Sequence, residues 1–186
     1  MTTIAAVQGS SWAVIGADSQ VSEDNKKYRL PSEFGKLVHT GAYIIGVAGD
    51  LRAVNILTHN FRPPNPGKNT GELLDKFMTS RFIPKLKSCF DTNFYGKDNE
   101  HGSILVVVVK GVVYEVGSDY DCIRDTRGLY SIGSGSPFAL GALHALEGSE
   151  VRTVAAAKEM VRLALLAACS YDSGTSEPVT IVVQGS

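Results

Sequence analysis

No stretch of the sequence is long and apolar enough to cross a bilayer: the longest candidate, "ILVVVVKGVVY", is broken by Lys110 and Gly111. An excess of one charge is missing too. Eighteen Lys and Arg against nineteen Asp and Glu leave a net charge of −1, so neither nucleic acid nor an anionic membrane is an expected partner. Cysteine is scarce. Cys89, Cys122 and Cys169 are widely spaced and odd in number, giving neither a disulfide framework nor a CxxC metal motif and pointing to a reducing cytoplasm. The N-terminus has no basic start and no signal-type apolar core. GxxxxGK[ST], GxGxxG with its acidic partner and GxSxG are all absent, and the four histidines show neither metal spacing nor a Ser-His-Asp order. No cofactor and no metal are expected.

What is present is a chain of 186 residues, 44% hydrophobic, enough to bury a substantial core in one domain over residues 1–186. Strand and helix patterns come in blocks. Ile4 to Val7 and Trp12 to Ala17 flank Gly9-Ser10-Ser11 as a hairpin; "KLVH" and "AYIIGVAG" form a second, and "SILVVVV" with "VVYEVG" a third, whose unbroken apolar run predicts burial on both faces. "VSEDNKKYRLPSEF" between them, polar and containing a proline, reads as a loop with possible short strands. Asp50 caps a helix reaching about Phe61, and Thr70 opens a second helical stretch that Pro84 kinks or splits. "GSGSPFALGALHALEG" passes from glycines into a helix, "EVRTVAAAKEMVRLALLAACS" is a long amphipathic helix, and "PVTIVVQ" closes as a strand. Runs of strands and then helices predict the α+β class, with two sheets face to face between helix layers.

The first residues carry the chemistry. A small second residue permits removal of Met1, after which Thr2 would hold a hydroxyl and a free α-amine together. An α-amine titrates near about 8, low enough to act as a base at neutral pH, and a threonine hydroxyl needs such a base to become a nucleophile.

"TTIAAVQGSSWAVIGADSQ", "FGKLV", "IIGVAGD", "GSGSPFALGALHAL" and "YDSG" occur in that order. Together they resemble the proteasome β-subunits and the related bacterial heat-shock peptidase, which are N-terminal-nucleophile hydrolases. The resemblance spans essentially the whole chain and implies a four-layer αββα sandwich. It implies that Thr2 is the nucleophile, Asp18 the acid beside the catalytic lysine, and Lys36 that lysine, with Lys26 and Lys27 as rivals. Gly49 matches the glycine whose N–H stabilises the oxyanion, Ser134 the serine near the threonine amine, and Asp172 the late aspartate. Relatives carry a serine three residues after that aspartate; here the position is Thr175, and Ser173, Thr175 and Ser176 all remain candidates for the hydroxyl. By position relative to these motifs, Val21, Phe34, Val38, Val47 and Leu51 are expected to line a pocket favouring apolar side chains.

The resemblance further implies a threonine endopeptidase acting on peptides or unfolded proteins inside a homo-oligomeric ring of about six or seven subunits, stacked and fed by an ATP-dependent unfoldase. Two other readings stand beside it: a non-proteolytic amidase acting on small amides by the same chemistry, and a non-catalytic ring subunit.

Overall fold

A computed structural model describes residues 1–31, 35–96, 100–148 and 153–185. Its first sheet has four strands, ordered β10-β1-β2-β11, in which β1 (Thr3–Gln8) and β2 (Trp12–Asp18) form the central hairpin. β10 (Leu129–Gly133) and β11 (Val179–Gly185) flank them, all antiparallel. The second sheet runs β5 (Leu37–Thr40), β6 (Tyr43–Gly49), β7 (Ser103–Val109), β8 (Val112–Val116) and β9 (Cys122–Ile123) in sequence order. Lys110 and Gly111, both at positive φ, close β7 onto β8 in the turn type that matches strand twist. β3 (Gln20–Glu23) and β4 (Lys26–Arg29) make a separate hairpin where the sequence reads as a loop with possible short strands; their residues are largely polar and exposed, so apolar alternation marks them only weakly.

Strand alternation sorts the core into layers. Ile4, Ala6, Ala13 and Ile15 from the first sheet meet Ile44, Val106 and Val108 from the second, between the sheets. Ala5, Val7 and Val14, on the opposite face of the first sheet, pack under α4 (Ser136–Leu146) and α5 (Val154–Tyr171). Leu105, Val107 and Val109 pack under α1 (Leu51–His59), α2 (Glu72–Phe77) and α3 (Ile83–Thr92). β7 is therefore buried on both faces, as its unbroken Val run predicts. Each fully buried Val, Ile or Phe adds about 1.5–3 kcal/mol of transfer free energy. Pro84 does split the second helical stretch: the helix widens into a π-helical segment, Met78–Phe82, just ahead of the proline that has no N–H to return to the preceding turn.

Candidate functional site

β1 is a central strand, so its first residues are held from both sides. Thr3 pairs with Gly133 of β10, and Ile4 with Ala17 of β2. A chain end usually frays; this one is clamped, and Thr2 is only 4% exposed. Gly133 makes the clamp tight. A Cβ there would lie 2.1 Å from the Thr2 carbonyl oxygen, and its φ of +94° is one that side-chain-bearing residues avoid.

Three groups of side chains converge on this end. Lys36, just ahead of β5, donates from Nζ to Asp18 Oδ1 at 2.7 Å at the end of β2. It lies 3.4 Å from the Met1 carbonyl oxygen. Burial pushes the Lys36 ammonium below the ordinary lysine value, while Asp18, Asp172 and Cys169 pull it partly back. The rivals Lys26 and Lys27 are exposed on β4.

On the other side, the Thr2 N–H donates to Ser134 Oγ at 3.3 Å, and Ser134 Oγ donates to Asp172 Oδ2 at 2.7 Å. Asp172 follows the C-terminus of α5, where the helix dipole disfavours a carboxylate. Burial also pushes its carboxyl up, yet hydrogen bonds from Thr175, Ser134 and the Gly174 N–H, with the positive N-terminus, bring it below the ordinary value. Of the three candidate hydroxyls, Thr175 is the one brought in: its Oγ1 donates to Asp172 Oδ2 at 2.5 Å and meets Thr3 Oγ1 at 2.6 Å. Ser173 and Ser176 enter through their backbones: the Ser173 carbonyl accepts from Gln20 Nε2, and Ser176 gives its N–H to Asp18 Oδ2 and accepts at its carbonyl from the Ser19 N–H.

The third group is the turn from β6 into α1. Gly49 sits at φ +126°, and a Cβ there would lie 2.3 Å from the Gly102 carbonyl oxygen. Asp50 caps the helix, its Oδ1 accepting from the Arg52 N–H at 2.8 Å.

Thr2 and Gly49 face two clefts. One, of about 290 Å³, is lined on its apolar side by Val21, Val47, Leu51 and Val54, with Lys36 at its base and Glu23 and Asp50 also in its wall. The second, of about 460 Å³, runs past Gly49, Ser103, Gly133 and Ser134 to His101. Of the expected pocket residues, Val21, Val47 and Leu51 line the first cleft. Val38 does not: it is 3% exposed in the core with Val54 and Leu57, on the face of β5 that α1 covers. Phe34 lies outside the described residues.

Several contributors escape sequence reasoning. Thr3 is fully buried and gives its N–H to Asp18 Oδ1 at 2.9 Å; the double threonine was the available signal. Glu23, Val54 and Ser103 carry no signal, since only folding brings residues so far apart in the chain to one place. In the structure Met1 is attached, so the Thr2 nitrogen is an amide, and Thr2 Oγ1 donates to the Met1 carbonyl at 2.6 Å. Cys169 is no rival nucleophile, because burial and then the Asp18, Glu177 and Asp172 charges push its thiol up to about 11.

No protein-family model matches the sequence. Among solved structures, BPH of Thiobacillus denitrificans in complex with epoxomicin superposes with a TM-score of 0.80 at 20% identity, covering 99% of this chain and 98% of that one. A second structure of Thiobacillus denitrificans BPH gives 0.76 at 18% identity, covering 99% of this chain and 98% of that one. Eukaryotic HslV from Trypanosoma brucei gives 0.69 at 22% identity, over the full length of both. With helix, sheet, sheet and helix layered in that order, the chain has the four-layer αββα fold that it shares with HslV and BPH.

Proposed function

We propose that this chain is a threonine endopeptidase that becomes competent when Met1 is removed. One observation carries the reading: the clamped Thr2 lies between a buried Lys36–Asp18 ion pair and the Ser134–Asp172 hydrogen-bond pair, beside the helix-initiating Gly49 turn. Loss of Met1 turns the Thr2 nitrogen into a free amine without moving the strand that bears it, and frees the Thr2 hydroxyl from the Met1 carbonyl.

Each group then has a role. Thr2 Oγ1 attacks a peptide carbonyl carbon, and its proton passes to the α-amine, directly or through water. Charged Lys36, oriented by Asp18, favours the alkoxide-like state of Thr2. The Gly49 N–H donates to the carbonyl oxygen as it becomes an oxyanion. Collapse breaks the C–N bond, and the ammonium proton leaves with the departing amine. The resulting ester is cleaved by water, whose proton the Thr2 amine takes before Thr2 Oγ1 recovers one on leaving. Ser134, Asp172 and Thr175 hold that amine in register.

The reading extends to a single cytoplasmic domain assembled into a ring of about six or seven copies that takes peptide or unfolded-protein substrates. Exposed apolar residues on the helix layer support assembly: Phe138 is 42% and Tyr171 76% exposed, their rings 5.7 Å apart. No helix among the described residues is long and apolar enough to cross a membrane.

The test combines intact mass with a peptide epoxyketone, the chemistry of the epoxomicin bound by Thiobacillus BPH. Protein lacking Met1 should be labelled once, on Thr2, and should cleave peptides; Thr2→Ala should assemble and do neither. Cleavage of small amides but not peptides would replace the reading with an amidase. Absence of labelling in assembled, Met1-free protein would leave a non-catalytic subunit.

A further inference from the structure

Asp50 is the first residue of the turn that follows Gly49, and its backbone N–H donates to Ser103 Oγ at 3.2 Å. Ser103 begins β7, is 2% exposed, and pairs with Gly49 across the ladder. Its hydroxyl also shares a hydrogen bond of 2.7 Å with the Tyr95 hydroxyl, itself almost fully buried. Tyr95 is locked in turn: its ring meets Phe90 edge-on at 4.9 Å, and Phe90 stacks similarly on His101 at 5.0 Å. The Gly49 peptide is pressed onto this support, since a Cβ at Gly49 would come within 2.8 Å of Ser103 Cα and 2.9 Å of Ser103 Oγ.

We infer that Ser103 and Tyr95 are positioning residues for the oxyanion donor. The inference rests on the reading that the Gly49 N–H stabilises the oxyanion. A peptide plane swings about its flanking Cα atoms, and Gly49 without a side chain resists such swinging least. The Asp50 N–H belongs to the peptide after Gly49; pinning it to Ser103 fixes that plane and the Gly49 Cα, while the β6–β7 pairing holds Ala48 on the other side. The Ala48–Gly49 plane that carries the donor therefore has less room to turn, and the Tyr95 hydroxyl holds the Ser103 rotamer that does the pinning. Either direction of the Ser103–Tyr95 bond leaves a Ser103 lone pair for Asp50. A donor aimed in advance costs no reorganisation when charge develops, which is where such donors act.

The experiment uses Met1-free, assembled Ser103→Ala and Tyr95→Phe proteins. Losing one oxyanion donor outright costs about 100- to 1000-fold, so losing its alignment should cost less: about 10- to 100-fold in kcat for Ser103→Ala and about 3- to 10-fold for Tyr95→Phe, with KM within about twofold. A peptide aldehyde, which forms a tetrahedral adduct on Thr2, should weaken by the same factor as kcat/KM, while a non-hydrolysed peptide of the same sequence binds unchanged. Hydrogen exchange at the Asp50 amide should accelerate in both variants. Unchanged kcat and aldehyde affinity overturn the inference, as does a loss confined to KM. Tyr95→Phe preserves the ring against Phe90 and decides the matter if Ser103→Ala fails to assemble. Failure of wild-type protein to label with the epoxyketone would sink the endopeptidase reading instead, while exchange at Asp50 still reports on the hydrogen bond.

Discussion

Lys36 Nζ donates to Asp18 Oδ1 at 2.7 Å, with the two side chains 3% and 0% exposed. The same carboxylate accepts from the N–H groups of Thr3, Gln20 and Ser176. One aspartate therefore ties together the N-terminal strand, the β3–β4 hairpin and the loop before β11, and it offers the lysine a partner already held by backbone. A buried charge is tolerated only when paired and hydrogen-bonded in this way.

Removing one partner should therefore be costly in two currencies. Lys36→Ala leaves Asp18 buried and unpaired, and should lower unfolding stability by about 3–5 kcal/mol as well as abolish peptidase activity. Lys36→Met with Asp18→Asn should recover much of the stability and none of the activity. Denaturant melts beside initial-rate assays check this; recovery of both together would make the lysine merely structural.

Lys36 also predicts an alkaline limit. Burial, its largest influence, lowers its proton affinity below the ordinary 10.5. The folded protein thus releases this proton before the unfolded chain does. The burial cost in stability is full below the folded value and fades as pH rises from there toward 10.5, while the charged form that activity needs is lost over the same window. The kcat/KM profile should fall below pH 10.5 without a parallel loss of stability from this residue. Activity that persists until global unfolding would count against a charged Lys36.

Asp172 predicts the acid side. Its folded value lies below the usual 3.8 because Thr175, Ser134 and Gly174 outweigh burial, so its contribution to stability is full above about pH 3.8 and is lost as pH drops through the lower folded value. Asp172→Asn should be less stable than wild type at neutral pH, and the gap should close below pH 3.8. A gap that is constant with pH would show that the carboxylate charge is irrelevant.

Thr175 bridges Asp172 and Thr3 through one hydroxyl. Thr175→Val leaves buried oxygens without that partner and should cost about 1–3 kcal/mol, whereas Thr175→Ser keeps the hydroxyl and should restore most of it. Thermal unfolding of the pair measures this. Equal losses in both would assign the effect to packing of the methyl group.

The apolar cleft beside Thr2 has carboxylates in its wall, from Glu23 and Asp50, and its described cation, Lys36, is committed to Asp18. Lys26 stands opposite Glu23 across the hairpin and tempers the field. Peptides with lysine at the cleaved position should be preferred over glutamate by several-fold, about tenfold at most, with the ratio shrinking at high salt and in Glu23→Gln. A preference for glutamate would invert the electrostatic assignment.

Local pattern determined a great deal by itself. The unbroken Val run of β7 demanded burial on two faces, the Gly-Ser and Lys-Gly turns marked hairpins, and the spacing of apolar residues in 154–168 marked the long helix. These depend on neighbours within a few residues, which sequence displays directly. The order of motifs from Thr2 to Asp172 was legible too, because it is linear. Tertiary structure alone decided the rest. Val38 turned into the core and Glu23 into the cleft wall because sheet packing and an exposed hairpin, rather than position near a motif, set which way a strand residue faces. Thr175 came to meet Thr3, and Ser103 to hold Asp50, through hydrogen bonds shorter than 3.5 Å between segments far apart in the chain. Such bonds are short-ranged and directional, so only the packing of two sheets and two helix layers brings their partners within reach.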